Sequence, residues 1–131
     1  MRSEEDRVST PGANRISKVA LFVSPHGLGH AARICAVAEV LQTQRPPIQF
    51  EIFTKVPRWF FEQSLAAGFG YNDVLTDVGL VQETGLSEDL AETIQRLDAF
   101  LPFEERLVES LATRLVELRC ELVVCDIAPL G

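Results

Sequence analysis

A continuous apolar run, Val19-Ala20-Leu21-Phe22-Val23, opens directly into a turn with two glycines, Ser24-Pro25-His26-Gly27-Leu28-Gly29, and then into a helical pattern. This junction constrains the fold more than any other part of the chain. An unbroken apolar run of this length fits a strand buried on both faces, which a parallel sheet covered by helices requires. The helical pattern runs from about His30 to Gln44, with Ala31, Ile34, Val37, Ala38 and Leu41 at helical spacing. Arg45-Pro46-Pro47 ends it, because proline cannot continue a helix.

The same alternation repeats downstream. Ile48 to Thr54 reads as a second strand, Pro57 to Ala67 as a short helix stopped by Gly68 and Gly70, and Asn72 to Val78 as a weaker third strand. Ser87 is a plausible N-cap with Glu88 and Asp89 behind it, and Leu90, Ile94, Leu97 and Leu101 follow at helical spacing. Pro102 interrupts this run, Leu107, Leu111, Leu115 and Leu118 restart it, and Glu121 to Asp126 is a fourth strand. The order β-α-β-α-β-α-β predicts an α/β, Rossmann-like parallel sheet with helices on both faces. The acidic helices between Glu88 and Glu117 are expected to cover the outer face with their leucines inward. The polar residues 1–17 read as a flexible leader, and residues 18–131 as a partial Rossmann-like domain. The chain stops at Gly131, inside the loop that should open the next helix, so the expectation is the N-terminal part of a longer protein.

Composition narrows the function. The net charge of −7 argues against a nucleic-acid binder. The charge is uneven: residues 1–58 hold eight Lys/Arg against five Asp/Glu, and residues 59–131 hold four against fourteen, the second group fitting solvated helix faces. No apolar run is long enough for an integral membrane segment, and the acidic N-terminus lacks the apolar core of a secretory signal. Cys35, Cys120 and Cys125 are an odd number in apolar contexts, which reads as reduced, buried thiols in a cytoplasmic protein.

Ligands of open α/β sheets bind outside the carboxyl ends of the strands, where the turn Pro25–His30 sits. Gly27 and Gly29 let a ligand approach the backbone, and the free N–H groups of the helix start suit a phosphate or diphosphate; a tight turn that needs glycine only for its dihedrals explains them equally well. Gly27-Leu28-Gly29-His30-Ala31-Ala32 also fits a dinucleotide fingerprint, but the second strand ends Phe53-Thr54-Lys55 without the acidic residue that would bind a ribose, although Lys55 could meet a 2′-phosphate. His26 and His30 lack a third ligand nearby, so no metal site is expected. A histidine at this place can serve as a general base. In a 3-2-1-4 strand order the first and fourth strands are neighbours, which would bring His30 within reach of Asp126 as its orienting acid; alternatively Asp126 merely caps the next helix. Trp59, Phe60 and Phe61 fit the core of an amphipathic helix better than a sugar-stacking platform.

Four blocks carry a resemblance to a family. Val19–Arg33 looks like the first strand and turn of GT-B glycosyltransferases, and is closest to the glycosyltransferase-like N-terminal domain of arabinokinases and its bacterial relatives. The turn is similar to GHGxGHxxR, with Pro25 in place of the first glycine. Val56-Pro57-Arg58-Trp59-Phe60-Phe61, Asp77-Val78-Gly79-Leu80-Val81-Gln82 and Leu122-Val123-Val124-Cys125-Asp126-Ile127-Ala128-Pro129 are the others. The resemblance implies the N-terminal, acceptor-side half of a GT-B fold, with a C-terminal donor domain absent from this chain. It implies metal-independent transfer of a sugar from a nucleotide-sugar, a UDP-sugar by expectation, to the hydroxyl of a small-molecule or glycan acceptor. The nucleotide-sugar is then a co-substrate, and no bound cofactor is expected. His30 maps to the base and Asp126 to its orienting carboxylate. His26, Gly27, Gly29, Arg33, Gly79 and Gln82 are candidates for binding substrate or phosphate. The 131 residues alone would be inactive. The alternatives are a non-catalytic sugar- or nucleotide-binding domain fused to a GHMP-type sugar kinase and, third, an NAD(P)-binding Rossmann enzyme.

Overall fold

The computed structural model describes residues 16–44 and 48–131. Four strands form one parallel sheet: β1 (Lys18–Val23), β2 (Gln49–Thr54), β3 (Gly70–Asp73) and β6 (Leu122–Asp126), in the order β3-β2-β1-β6. Helices α1 (Leu28–Gln44) and α2 (Arg58–Ser64) follow β1 and β2, and α3 (Leu90–Phe100) and α4 (Glu105–Glu117) precede β6. Between β3 and α3 lies a two-stranded antiparallel hairpin, β4 (Val81–Thr84) and β5 (Ser87–Asp89). The fold is α/β and Rossmann-like, with helices flanking the sheet. No helix among the described residues is long and apolar enough to cross a membrane.

β1 is central and paired on both sides, which is why its run is apolar throughout. One face of the sheet packs Val19, Leu21, Val23, Phe50 and Ile52 against Ala31, Ile34, Cys35 and Ala38 of α1 and Phe61 of α2. The opposite face packs Ala20, Phe22, Phe53 and Ala128 against the half-buried Leu111, Leu115 and Leu118 of α4 and its exit. Phe22 and Phe53 stack across β1 and β2 with ring centroids 4.5 Å apart.

Several expectations shift. The third strand is Gly70–Asp73, not Asn72–Val78. β2 ends at Thr54, so Val74 makes the last rung to the Thr54 carbonyl, and beyond it the chain crosses towards β1, where the Thr76 hydroxyl donates to the Val23 carbonyl at 2.6 Å. Ser87 is not a cap. The Thr84 hydroxyl accepts from the Leu86 and Ser87 N–H groups, which closes a tight turn and draws Ser87 into β5, and Asp89 caps α3 by accepting from Glu92 N–H at 2.9 Å. The buried Thr93 ties α3 to the hairpin, donating to the Asp89 carbonyl and accepting from Val81 N–H. That bond turns Thr93 inward and leaves Leu90, Ile94 and Leu101 exposed, so α4 covers the outer sheet face and α3 packs on the hairpin instead. Of the thiols only Cys35 is buried; Cys120 is half-buried, and Cys125 is exposed because β6 is an edge strand of the sheet. Phe61 is core and Phe60 partly so, while Trp59 faces out.

The expected leader, residues 1–17, falls outside the described residues up to position 15. Ser17 belongs to the sheet: its carbonyl accepts from Gln49 N–H, and its N–H and hydroxyl both bond the Glu121 carboxylate. Arg45-Pro46-Pro47, expected to end α1, also lies outside the described residues.

Candidate functional site

The site is built by the register between β1 and β6. Val23 is level with Asp126, and Ser24 N–H donates to the Asp126 carbonyl at 3.2 Å. The carboxylate therefore stands at the carboxyl end of the sheet, beside the turn that leaves β1. In that turn Gly27 has φ +78°, a left-handed conformation that a side chain disfavours. Gly27 and Gly29 are exposed, and a Cβ at either would meet nothing within 4 Å, so the backbone of the turn is open to an approaching ligand.

α1 begins at Leu28, which puts His30 in its first turn and Arg33 one turn further on the same face. The His30 Nδ1 lies 3.4 Å from Asp126 Oδ1, with the two side chains 19% and 11% exposed. The distance exceeds that of a formed hydrogen bond, and catalytic contacts are often this loose before a ligand binds. Arg33 completes a triangle. Its Nε is 3.2 Å from Asp126 Oδ2, and its Nη2 is 3.1 Å from His30 Nδ1. The Nε contact is a charge pairing without hydrogen-bond alignment, so the buried Oδ2 accepts no hydrogen bond among the described residues. Ile127, directly after the carboxylate, has φ +47°, a strained conformation for a β-branched residue.

The triangle can be protonated in two exclusive ways. A guanidinium only donates, so its contact requires a bare Nδ1 on His30, which puts the imidazole proton on Nε2. The Asp126 contact requires the proton on Nδ1, which leaves Nε2 free to take a proton from a ligand. Only the second form presents a free basic nitrogen to a ligand, because in the first Arg33 occupies it.

His26, by contrast, turns to another partner. A Cβ on Gly79 would fall 2.1 Å from the His26 Nδ1, so glycine at 79 is what lets the imidazole lie against the 77–80 segment. The two histidines thus go to different places, and among the described residues no group of His, Cys, Asp and Glu is arranged to hold a metal ion. Gln82 stands apart: it is exposed on β4, opposite Glu88. Lys55, the residue that could meet a ribose phosphate, pairs with Asp73 at 3.0 Å.

Sequence reasoning missed Ser24 and Asp77. Ser24 is fully buried, donates to Asp77 Oδ2 at 2.8 Å and accepts from His26 N–H at 3.3 Å. The available signal was a serine directly after the first strand, together with a carboxylate between the third strand and Gly79. No protein-family model and no curated protein matches the chain.

Proposed function

We propose that this chain supplies the acceptor-binding, base-carrying side of a metal-independent sugar transfer from a nucleotide-sugar, a UDP-sugar in the first instance, to an acceptor hydroxyl. The observation that carries the reading is the approach of His30 to Asp126 across adjacent strand ends. His30 Nε2 takes the proton of the acceptor hydroxyl as its oxygen attacks the anomeric carbon. The bond from that carbon to the diphosphate oxygen breaks, the nucleoside diphosphate leaves with the electron pair, and the anomeric configuration inverts. Asp126 holds the Nδ1 proton and stabilises the imidazolium. Arg33, largely exposed, has to leave Nδ1 for this, and a diphosphate facing the Gly27–Gly29 backbone gives its guanidinium a stronger partner. A second domain would carry the nucleotide-sugar. A cytoplasmic setting, where thiols stay reduced, fits this reading, and the three cysteines are free.

The test is turnover of a UDP-sugar by the native polypeptide that carries this sequence. His30→Ala is expected to lower it by roughly 10²- to 10⁴-fold, the loss of a general base. Unchanged turnover removes the role. The Arg33 contact favours a second reading, a sugar- or nucleotide-binding domain without catalysis, because it occupies the basic nitrogen of His30. Saturable nucleotide-sugar binding with neither transfer nor hydrolysis would select that reading.

A further inference from the structure

We propose that the hollow between the first turn and the β4–β5 hairpin binds one uncharged polyhydroxylated ring, a single monosaccharide unit. It is a cavity of about 230 Å³. That volume suits one sugar ring seated against its wall. Leu75, Val78 and Leu80 give it an apolar wall, and His26, Asp77 and Arg96 bring the polar groups. His30, Asp126 and Arg33 do not line it. A ring held here is therefore a recognition unit beside the reacting pair, and its place in catalysis rests on the transfer reading above, whereas its binding does not.

The hollow is a built site. The buried Ser24 hydroxyl ties two of its walls together, bonding the Asp77 carboxylate and the His26 backbone. The wall segment is fastened at both ends, by the Thr76 hydroxyl on the Val23 carbonyl and by Val81 N–H on the Thr93 hydroxyl. Gly79 lets His26 settle against it. Among the described residues Asp77 Oδ1 has no hydrogen-bond partner, so one fixed carboxylate oxygen remains to accept. Arg96 uses Nε on Glu92 at 2.8 Å, which leaves its terminal N–H groups to donate.

Charge selects the ligand class. Arg96 is already compensated by Glu92, and Asp77 adds a negative charge to the wall, so an anion is disfavoured. A ring of hydroxyls matches both polar partners, donating to Asp77 and accepting from Arg96. Its C–H face matches the leucine and valine wall.

The experiment is an NMR titration of the 131-residue chain with D-glucose, D-galactose, L-arabinose and their methyl glycosides, and with glucuronate and inorganic phosphate. The expected result is saturable binding of at least one neutral probe, in the millimolar range, with shifts at His26, Asp77 to Val81 and Arg96. Binding of a methyl glycoside but not of its free sugar also supports the site and orients the anomeric oxygen outward. Asp77→Asn should weaken binding at least tenfold. Leu80→Trp, which fills the hollow from a half-exposed position without touching the Ser24 network, should do the same. His30→Ala should leave binding unchanged. The proposal falls if no neutral probe saturates, if only glucuronate or phosphate binds, or if binding survives both Asp77→Asn and Leu80→Trp. Intact binding together with His30→Ala that leaves turnover unchanged would keep this site and remove the transfer reading.

Discussion

The two faces of the sheet are covered in different ways. On the side of α1 and α2 the cover is tight over β1 and β2: Ile34, Cys35, Ala38 and Phe61 are buried against five strand residues, while the β6 edge reaches water at Leu122. On the side of α4 it is partial, and α4 has no fully buried residue at all. Both sides began from the same kind of alternation. What differs is the helix: α1 turns small and branched apolar residues into a wholly apolar seam, whereas α4 lays a single row of leucines on the sheet between charged flanks. The closed side makes a rigid base for the turn that carries His30. The open side leaves Val123 and Cys125 of β6 exposed.

The largest expected effect tests that inequality directly. Phe61→Ala removes a fully buried ring from the closed side and should cost about 3–5 kcal/mol of stability in urea unfolding. Leu111→Ala on the open side removes a half-buried side chain and should cost roughly 1–2 kcal/mol, because part of its surface is already in water. Equal costs would mean that α4 closes its face as well as α1 does, and the comparison would fail.

A smaller effect separates the two kinds of glycine in the site. Gly79→Ala drives a methyl group into the His26 ring, which must move, and should cost about 1–3 kcal/mol while changing the His26 resonances. Gly29 lies inside α1 at an ordinary φ with nothing near its missing Cβ, so Gly29→Ala should gain about 0.5–1 kcal/mol. Thermal unfolding of the two variants reads the difference, and a gain at Gly79 would show that His26 is not seated there.

Legibility follows the same division. The first strand, the turn, α1 and the place of Asp126 were readable because a doubly buried strand and an apolar helix seam leave little choice of pattern. With a 3-2-1-4 strand order, the pattern alone makes β1 and β6 neighbours and allows His30 to reach Asp126, while leaving a helix-capping role for Asp126 equally open. The region from Asn72 to Leu90 was not readable in that way. Its hairpin is set by hydroxyls: Thr84 closes the turn and Thr93 ties helix to strand. Such hydroxyls carry no apolar period, so the row Leu90, Ile94, Leu97 and Leu101 points the wrong way: three of the four face water. Ser24 and Asp77 escaped for the same reason, since a bond between residues 53 positions apart leaves no local trace. The helical spacing of Arg33 suggests an anionic ligand; its contact with Nδ1 arises from the turn of α1 that points it back at His30.

The smallest effect is a pH dependence that distinguishes the three thiols. Burial pushes the Cys35 thiol above its ordinary range, with the nearby Glu39 adding to the rise and a hydrogen bond from Ser64 opposing it. Burial raises Cys120 and Cys125 as well. A thiol whose folded pKa is raised favours the folded state while it stays protonated. In the unfolded chain it ionises first, at its ordinary pKa near 8.5. Above that pH the unfolded state holds fewer protons than the folded one, so stability is level below it and falls as pH rises towards the folded pKa. One such group gives a slope of at most about 1.4 kcal/mol per pH unit. Cys35→Ala should flatten the fall between about pH 8.5 and 10 more than Cys120→Ala does, because only Cys35 lies on the closed side, out of water. Urea midpoints across that range measure it. An equal flattening by the two variants would place both thiols in the same environment and undo the distinction between the faces at the scale of a single side chain.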